Sequence, residues 1–391
     1  MNKLELQKTA NEIRKGIVSG VHAAKAGHPG GSLSAADIFT YLYFEEMNVD
    51  PKNPKDPDRD RFVLSKGHTA PGLYAALAEK GYFPKEDLLT LRHLGSYLQG
   101  HPDMKHIPGV DMSSGSLGQG ISAAVGMALG AKLQNKAFRV YTLLGDGEIQ
   151  EGQVWEAAMF AGAKHLDNLV VIVDNNGLQI DGNVADVNSP YPIDKKFEAF
   201  NFHVINVADG NDFDQLKAAF DEARTVTGMP TAIITKTVKG KGVSFMENQV
   251  GWHGKAPNDE EYAIATVSYA QIGDKYVHLK TSSNYLTWDK ASLADSVALG
   301  SKGTTKADMD SALWKANLVR VNMPGNDSIY TLTNKATQKQ LSFSAKLNGA
   351  DKFGTAIAAG ISEFKIKHGT GGYSIIGTTT CLLYTSDAAD E

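Results

Sequence analysis

The sequence predicts an α/β fold in which a doubly wound, mostly parallel sheet carries helices on both faces. Strand-like apolar segments alternate with helix-like segments between residues 61 and 236. Two strongly apolar segments, at 139–144 and 169–173, enclose a helix-like stretch at 152–163. A strand, a helix and a second strand in succession form a β-α-β unit, whose two strands lie parallel in one sheet. Several such units in a row build an open sheet with helices on both sides.

Apolar periodicity and helix-ending residues define the individual elements. A helix-like spacing that starts at residue 4 ends at Gly20, and Ser32 or Ser34 is a suitable N-cap for the next helix. The helix at 117–134 is rich in alanine and glycine, so it could pack closely against a partner. In chain order, helices are predicted at 4–20, 34–46, 71–80, 117–134, 152–163 and 213–225, and strands at 61–64, 139–144, 169–173, 202–207 and 231–236.

The character of the chain changes near residue 265. Beyond it the sequence is rich in serine, threonine, lysine, aspartate and asparagine. We interpret 1–265 as one α/β domain and 266–380 as a smaller, β-rich segment. Its predicted elements are short strands at 276–279, 318–321, 328–332 and 341–344 and a helix at 350–361. Residues 381–391 resemble read-through of library sequence rather than the end of a gene, which indicates a non-native tail and makes an accidental fusion one explanation of everything after residue 265.

Length and composition exclude several classes of protein. The 391 residues can hold two or three domains, and 42% of them are hydrophobic, enough for a substantial core. A net charge of −5 and the lack of basic runs argue against a nucleic-acid partner. The single cysteine, Cys381, excludes a disulfide framework. The polar N-terminus and the lack of a long apolar run predict a cytoplasmic protein with no membrane partner.

Two polar segments follow consecutive strands of the β-α-β unit. Gly145-Asp146-Gly147 comes after the first strand, and Asp174-Asn175-Asn176-Gly177 ends the second. Open parallel sheets bind ligands at the carboxyl ends of their strands. The Asp146 carboxylate, the Asn176 amide oxygen and a backbone carbonyl beyond Asn176 are hard oxygen ligands for Mg²⁺, with a diphosphate and water completing the octahedron. Gly147 would let a phosphate approach the backbone. Both segments are also common turn sequences, so the prediction depends on their strand context.

Four histidines lie in segments that glycine or proline holds in place: His28, His68, His101 and His253. One such histidine is most often a surface or helix-capping residue, but four in similar settings indicate a shared site. Imidazole can donate to diphosphate oxygens, bind sugar hydroxyls or transfer protons near neutral pH. No cysteine accompanies them and their spacing is not that of a zinc site.

Two further segments carry weaker signals. The glycine-rich stretch from Ser114 to Gly120 would let the backbone contact a planar ring, or it is an ordinary start of the alanine-rich helix. Three carboxylates, Glu148, Glu151 and Glu156, follow the Asp146 segment. Glu151 lies near a helix start, where the dipole favours an anion. Simple capping and solvation are the alternative explanation.

Taken in order, these motifs resemble those of one enzyme family. The run of Gly-His-Pro-Gly, Ser-Lys-Gly-His, Gly-His-Pro, Ser-Gly-Ser-Leu-Gly-Gln-Gly, Gly-Asp-Gly-Glu, Asp-Asn-Asn-Gly and His-Gly-Lys-Ala-Pro resembles the N-terminal, diphosphate-binding domain of transketolase. The resemblance covers about residues 4–265 and is nearest to the split form, in which this domain is a separate subunit. It implies the thiamine-diphosphate-binding fold and transfer of a two-carbon ketol unit from a ketose phosphate to an aldose phosphate.

The resemblance also implies how thiamine diphosphate and its metal are held. The metal, Mg²⁺ or alternatively Ca²⁺ or Mn²⁺, would be bound by Asp146, the Asn176 side chain and the Leu178 carbonyl. The remaining cofactor-binding residues would be three that touch the diphosphate and three that contact the rings, namely His68, Gly147 and His253, and Gly115, Leu117 and Ile180.

Sugar-binding and interface roles follow from the same resemblance. His28 and His101 would line the sugar channel, and together with His253 they are the implied catalytic histidines. Glu151 and Glu156 resemble carboxylates that link two active sites across the family's dimer interface. The implied ligands are sugar phosphates.

Part of the family's machinery has no match in this chain. The pyrimidine-binding domain of the family carries an essential glutamate and the arginines that grip the sugar phosphate. Glu363 lies in a superficially similar context, but its flanking residues do not fit. The stretch after residue 265 is too short for two further α/β domains of typical size. The chain is therefore predicted to be inactive alone and to need a C-terminal transketolase subunit, in a homodimeric or heterotetrameric assembly.

Two alternatives stay open at the level of sequence. One is a fragment of an enzyme like 1-deoxyxylulose-5-phosphate synthase, which shares the Gly-Asp-Gly and Gly-His motifs, although the segment from Thr69 to Tyr74 is more similar to transketolase. The other is a catalytically incomplete, chimeric chain with an unrelated structural or binding tail. Substrate profiling separates the first alternative, and limited proteolysis near residue 265 separates the second.

Overall fold

The computed structural model describes residues 1–269 without a break and, beyond them, ten strands between residues 276 and 385. The chain divides into two compact units, Met1–Tyr269 and Ala270–Glu391. Helices of the first unit are α1 (Lys3–Ala24), α2 (Pro29–Ser34), α3 (Ala36–Tyr41), α4 (Ala70–Lys80), α5 (Gly120–Leu133), α6 (Gly152–Ala163), α7 (Val184–Asn188), α8 (Ile193–Ala199), α9 (Phe213–Thr225) and α10 (Asp259–Tyr269).

The strands of the first unit are β1 (Arg61–Leu64), β2 (Val140–Gly145), β3 (Leu169–Asn175), β4 (Leu178–Gln179), β5 (Gly182–Asn183), β6 (His203–Val207) and β7 (Thr231–Lys236). Single turns of 3₁₀-helix lie at Gly67–Thr69, Glu148–Gln150 and Val250–Trp252, a longer one lies at Lys85–Thr90, and a π-helical turn extends α3 over Leu42–Glu46.

Five parallel strands form the central sheet, in the order β1-β2-β3-β7-β6. Parallel strands end at the same edge of a sheet, so the segments that follow β1, β2, β3 and β7 come together there. The small antiparallel hairpin β4-β5 follows β3 directly and belongs to this edge.

Alternate residues of the central strands are buried on opposite faces of the sheet. In β3, Val170 and Ile172 belong to a core that includes residues of α1, α3, α4 and α9. Val171 and Val173 belong to a second core with residues of α5, α6 and α8. A strand that is buried on both faces reads as a continuous apolar run, as β3 does. This doubly wound sheet with helices on both faces confirms the predicted fold class.

The helix predicted at 34–46 corresponds to α3 and its π-helical extension Leu42–Glu46, but its predicted cap is wrong, because the N-cap of α3 is Ala35. A separate helix, α2, was not predicted and begins at Pro29 with His28 in the N-cap position. Proline suits the first helical position because its missing N–H is not needed there. Ser32 donates to the His28 carbonyl at 2.7 Å, and the Ser34 hydroxyl lies 2.6 Å from the Asp174 carboxylate and 3.0 Å from the Gly31 carbonyl. Neither serine accepts a backbone N–H at the start of α3, so neither is its N-cap.

Ten strands of the second unit are described, and they pair antiparallel in one sheet. They are β8 (Tyr276–Thr281), β9 (Tyr285–Trp288), β10 (Val297–Gly300), β11 (Leu313–Asn322), β12 (Asp327–Asn334), β13 (Gln340–Leu347), β14 (Phe353–Thr355), β15 (Glu363–Gly369), β16 (Gly372–Gly377) and β17 (Cys381–Thr385). The four strands predicted here fall within β8, β11, β12 and β13. The helix predicted at 350–361 is wrong where β14 lies, and residues 350–352 and 356–361 are outside the described part of the chain. The interpretation of 381–391 as a non-native tail stays a prediction.

Candidate functional site

A buried ion pair joins the segments after β1 and β3. The Lys66 ammonium contacts the Asp174 carboxylate, and their side chains are 2% and 0% exposed. Asp174 also accepts hydrogen bonds from Ser34 at 2.6 Å, from Asn176 at 3.1 Å and from Thr237. Burial favours the neutral acid, but the Lys66 charge and these donors outweigh it and hold the pKa of Asp174 below its usual value. The pair thereby joins the ends of three strands, β1, β3 and β7, to the last residue of α2.

Asp146 lies in the next segment, directly after β2. Its carboxylate is buried and accepts the Gly147 N–H at 2.9 Å and the Gly177 N–H at 2.5 Å. Burial, followed by the nearby Asp174 charge, raises the pKa of Asp146 to about 6. Gly177 has φ +78, a left-handed conformation that glycine adopts without strain. The contact with Gly177 places Asp146 against the turn that carries Asn176 and Leu178.

The predicted oxygen ligands form one connected group. Asn176 Oδ1 accepts the Leu178 N–H at 3.1 Å, and the Leu178 carbonyl accepts Lys239 Nζ at 2.9 Å. One carboxylate, one amide oxygen and one carbonyl are the donor types that Mg²⁺ prefers. In the described part of the chain, no group of three or more His, Cys, Asp or Glu side chains is arranged to hold a metal ion. An ion at this edge would therefore need mixed oxygen ligands of this kind.

Lys239 follows β7 and reaches into the same group. It is 2% exposed, and its Nζ lies 2.9 Å from His253 Nδ1 as well as from the Leu178 carbonyl. Burial, with a smaller contribution from Lys66, lowers the pKa of Lys239 to about 8. Two lysines thus bring positive charge to the edge where the sequence predicts a diphosphate.

Three of the four predicted histidines form a cluster. The ring centres of His28, His68 and His253 lie 5.2 to 5.5 Å apart. Burial lowers the pKa of His28 to about 4 and of His253 to about 3, and it holds that of His68 well below the usual value. All three are therefore neutral near pH 7, when each ring can donate one hydrogen bond and accept another. His28 Nδ1 is buried without a hydrogen-bond partner among the described residues, a free position for a ligand.

His101 lies beside the glycine-rich loop. A Cβ added to Gly115 would lie 3.3 Å from the His101 ring, and one added to Gly67 would lie 2.7 Å from the Gly115 nitrogen. The loops thus pack with no room for side chains at these glycines. Tyr74 holds the loop that carries His101, because its hydroxyl lies 2.9 Å from the carbonyls of both Gln99 and His101 and can donate its one proton to either.

Four other predicted site residues lie outside the histidine cluster and the ligand group, and their environments differ from one another. Leu117 and Ile180 are 38% and 62% exposed, unusual for large apolar side chains. Gly147 has φ −71, so its backbone needs no glycine, but a Cβ there would lie 3.0 Å from that of Gln179. Glu151 is exposed at the start of α6 and makes no side-chain capping bond, contrary to the capping alternative.

The outer surface of α6 carries the second predicted interface carboxylate. Glu156 is exposed there, near Met159 and Phe160, which are 58% and 42% exposed. An interface role for Glu151 and Glu156 stays a prediction.

Glu148 connects three loops of the site. This buried carboxylate accepts the Ser65 hydroxyl at 2.6 Å, the Gly118 N–H at 2.9 Å and the Gly145 N–H at 3.0 Å. These donors come from the end of β1, from the loop before α5 and from β2. Glu148 therefore holds the glycine-rich loop against the sheet edge that carries Asp146.

Replacing Glu148 with glutamine is expected to destabilise the fold by about 1–3 kcal/mol, because an amide NH₂ would face a backbone N–H that loses its acceptor. The midpoint of urea unfolding of the full chain measures this. Glu156→Gln is the matched control, since Glu156 is exposed and should show no change. An unchanged midpoint for Glu148→Gln would show that the hydrogen bond lost from the backbone N–H contributes nothing to stability.

Several residues of the site were missed by sequence reasoning. Lys66 was part of a quoted motif but was assigned no role, and Lys239 was not singled out. Both lie within three residues of the end of a parallel strand. The rule that singled out Asp146, polar residues at carboxyl strand ends, could have identified them. The hydrogen bond from the Gly118 N–H to Glu148 could not be predicted in this way, because it depends on the conformation of the glycine-rich loop.

None of the helices in the described ranges is long and apolar enough to cross a membrane.

Comparison with known proteins places this arrangement in a family. The family described as "Transketolase, thiamine diphosphate binding domain" matches residues 6–293. The 6-deoxy-6-sulfo-D-fructose transketolase subunit SqwG of Clostridium sp. (strain MSTE9) is 45% identical over 271 residues, which cover 69% of this chain and 98% of that subunit. Transketolase of Mus musculus is 44% identical over 281 residues, which cover 71% of this chain and 44% of the mouse protein.

Solved structures show the same likeness. Transketolase from Campylobacter jejuni superposes with a TM-score of 0.65 at 35% identity, over 69% of this chain and 43% of that one. The chain thus spans nearly all of a relative that is named as a subunit and less than half of the full-length enzymes. Because the family match covers more than half of its length, this chain belongs to the transketolase family and contains that family's thiamine diphosphate binding domain.

Proposed function

We propose that this chain is the diphosphate-binding subunit of a split transketolase. The enzyme would transfer a two-carbon ketol unit from a ketose phosphate to an aldose phosphate, and it would need a C-terminal partner subunit. The proposal rests mainly on one observation. At a single sheet edge, Asp146, the Asn176–Leu178 turn and two buried lysines lie together with the histidine cluster. The relatives named as subunits, which this chain spans almost end to end, support it.

The residues present fit thiamine diphosphate with a divalent cation. Asp146, the Asn176 side chain and the Leu178 carbonyl offer oxygen ligands for Mg²⁺, while Ca²⁺ or Mn²⁺ are the alternatives. Lys239 holds the Leu178 carbonyl at 2.9 Å, and it would have to share that carbonyl or move toward the diphosphate when a cation binds. When bound, the thiazolium of the cofactor supplies the carbon that accepts and releases the two-carbon unit.

The chain's own residues would orient the substrates and move protons. The sequence resemblance marks His28, His101 and His253 as catalytic. The rings of His28 and His253 lie 5.5 Å apart, and His28 Nδ1 has no hydrogen-bond partner within the described part of the chain. A neutral imidazole with a depressed pKa can accept a proton from a sugar hydroxyl only transiently and return it readily. We infer that His68, whose pKa is lowered by Lys66 and Lys239 as well as by burial, would face the diphosphate.

Exposure at the predicted ring-binding side supports the need for a partner. Leu117 and Ile180, predicted to contact the cofactor's rings, are 38% and 62% exposed. A ring bound there would have protein on one side only, so a second subunit should cover the other. Homodimerisation and a heterotetramer, the two assemblies predicted from the sequence, are the candidates for this cover. The cytoplasmic location inferred from the sequence stays a prediction.

The named relatives suggest an anionic sugar as substrate. One relative is named for 6-deoxy-6-sulfo-D-fructose and another, from Actinobacillus succinogenes, for apulose 4-phosphate. We propose a sugar phosphate or a comparable anionic sugar for this chain.

A choice of donors tests the reaction type. The full chain is mixed with the C-terminal subunit, thiamine diphosphate and Mg²⁺, and then given either a ketose phosphate or pyruvate together with one aldose phosphate. Product from the ketose phosphate, without carbon dioxide release from pyruvate, is expected. Turnover of pyruvate alone would favour the deoxyxylulose phosphate synthase chemistry instead.

A further inference from the structure

Asn211 lies in the loop that follows β6, at the same edge of the sheet as the proposed cofactor site. Its half-buried side chain uses both ends of its amide. Nδ2 donates to the Asp37 carboxylate at 2.8 Å and lies 3.2 Å from the Ser34 carbonyl, and Oδ1 accepts the Val238 N–H at 3.1 Å. The amide therefore joins α2 and α3 to the turn that follows β7.

The loop that carries Asn211 is itself fixed against β7. The Gly210 N–H donates to the Lys236 carbonyl at 2.7 Å. A Cβ added to Gly210 would lie 2.7 Å from Thr235 Cβ, so a larger residue there would displace the strand. The backbone of Asn211 thus has a fixed place beside β7.

Asp37 connects Asn211 to a second support of the same turn. The Asp37 carboxylate pairs with Arg14 of α1, and the two side chains are 5% and 10% exposed. Arg14 Nε also donates to the Lys241 carbonyl at 3.2 Å. Breaking a buried ion pair is costly, so the pair holds both of its members in place. One buried carboxylate thus joins Asn211 on one side of the turn to Arg14 on the other.

The turn held in this way carries Lys239 between two anchored residues, Val238 and Lys241. A Cβ added to Gly30 would lie 3.3 Å from Cγ and Cε of Lys239, so the lysine stem packs directly over the backbone of α2. At the end of this stem, Nζ lies 2.9 Å from the Leu178 carbonyl. The backbone at 238–241 therefore determines where the ammonium lies.

A lysine benefits from such support because its ammonium is a point charge on a flexible four-carbon chain. Holding a binding group in place before its ligand arrives lowers the entropy cost of binding. Asn211 bonds to the backbone one residue before Lys239. Loss of the Asn211 amide should therefore loosen the ammonium while leaving every predicted cofactor-binding atom present.

We propose that Asn211 is a positioning residue of the cofactor site. Together with Asp37 and Arg14, it sets the turn at 238–241 so that the Lys239 ammonium meets the diphosphate of thiamine diphosphate. This inference rests on the proposed function, which assigns a diphosphate to this sheet edge. It predicts an effect of Asn211 on cofactor affinity that exists only while Lys239 is present.

A double-mutant cycle between Asn211 and Lys239 tests the proposal. Thiamine diphosphate is titrated calorimetrically into the assembled enzyme in the presence of Mg²⁺. Asn211→Ala should raise Kd about tenfold, as is typical for loss of a residue that orients a ligand-binding group, with kcat at saturating cofactor little changed. In a Lys239→Met background the same substitution should change Kd by less than about twofold, because the group through which Asn211 acts is gone.

Two further variants control for effects on the fold. Asn211→Leu removes the same hydrogen bonds at similar size, so it should weaken binding as Asn211→Ala does. Asn206→Ala, at an exposed asparagine of β6, is the matched control and should leave Kd unchanged. The midpoint of urea unfolding of each full chain shows whether the variant is folded under the titration conditions.

Two results would overturn the role of Asn211. One is an unchanged Kd in both Asn211 variants, and the other is an equal loss with and without Lys239, which would indicate a role in the fold alone. If the wild-type assembly transfers no two-carbon unit, the proposed function fails on its own. Titration of the full chain with inorganic pyrophosphate and Mg²⁺ then still tests Asn211. Binding that Asn211→Ala weakens only when Lys239 is present supports the proposal, and equal or undetectable binding contradicts it.

Discussion

Asp146→Ala is expected to abolish Mg²⁺-dependent binding of thiamine diphosphate by the assembled enzyme. Asp146 is the carboxylate of the proposed ligand set, and its Oδ2 also accepts the Gly177 N–H at 2.5 Å. The substitution therefore removes a negative ligand and frees the turn that carries Asn176 and Leu178. Loss of an outer partner of a metal ligand typically costs 10–100-fold in affinity, so loss of the ligand itself should cost on the order of 100-fold or more.

Cofactor titration of the assembled enzyme, with Mg²⁺ and with a chelator, measures this effect. Wild type should bind more weakly in the chelator, and Asp146→Ala should bind weakly in both conditions. Asp146→Asn removes the charge but keeps an acceptor for the Gly177 N–H. It therefore distinguishes the effect of the lost charge from the effect of releasing the Asn176–Leu178 turn. Asp186→Asn, which alters an exposed carboxylate of α7, is the control. Affinity retained by Asp146→Ala would remove this residue from the site.

Lys66→Met is expected to be among the most destabilising single changes in the first unit. It leaves the Asp174 carboxylate fully buried without its counter-ion. Removing one partner of a buried ion pair costs about 3–5 kcal/mol, whereas removing both is often nearly neutral. Lys66→Met combined with Asp174→Asn should therefore recover most of the loss, and urea unfolding of the full chain measures both.

The stability deficit of Lys66→Met should depend on pH. In wild type the pKa of Asp174 is depressed, so its contribution is present above the unfolded pKa and is lost as pH falls through the folded pKa. Without Lys66, burial should raise the folded pKa above the unfolded one. The variant would then lose stability as pH rises, so its deficit should grow from about pH 5 to pH 8. A deficit that is constant over this range would show that Asp174 does not change its charge state.

The sheet and the metal segment could be predicted because local pattern determines them. The continuous apolar run 169–173 of β3, followed at once by Asp174-Asn175-Asn176, indicates both a buried parallel strand and polar residues at its carboxyl end. The Asp146 segment follows β2 in the same way. Register along each strand did not matter for this inference, because all parallel strands end at one edge.

The ion pair and the loop contacts could not be predicted in the same way. Lys66 and Asp174 are brought together across β2, because β1 and β3 are not neighbours in the sheet. That contact depends on strand order and side-chain reach, which no local pattern contains. The N-cap position of His28 could have been predicted from the sequence, because Pro29 marks the start of α2.

The requirement for a partner is the central claim, and a two-carbon transfer assay tests it most directly. The full chain is assayed with thiamine diphosphate, Mg²⁺, a ketose phosphate and an aldose phosphate, first alone and then with a C-terminal subunit of a split transketolase. That subunit is first shown to be active with its own N-terminal partner. We expect transfer only in the mixture. Transfer by the chain alone at a comparable rate, or none in the mixture, would contradict the account.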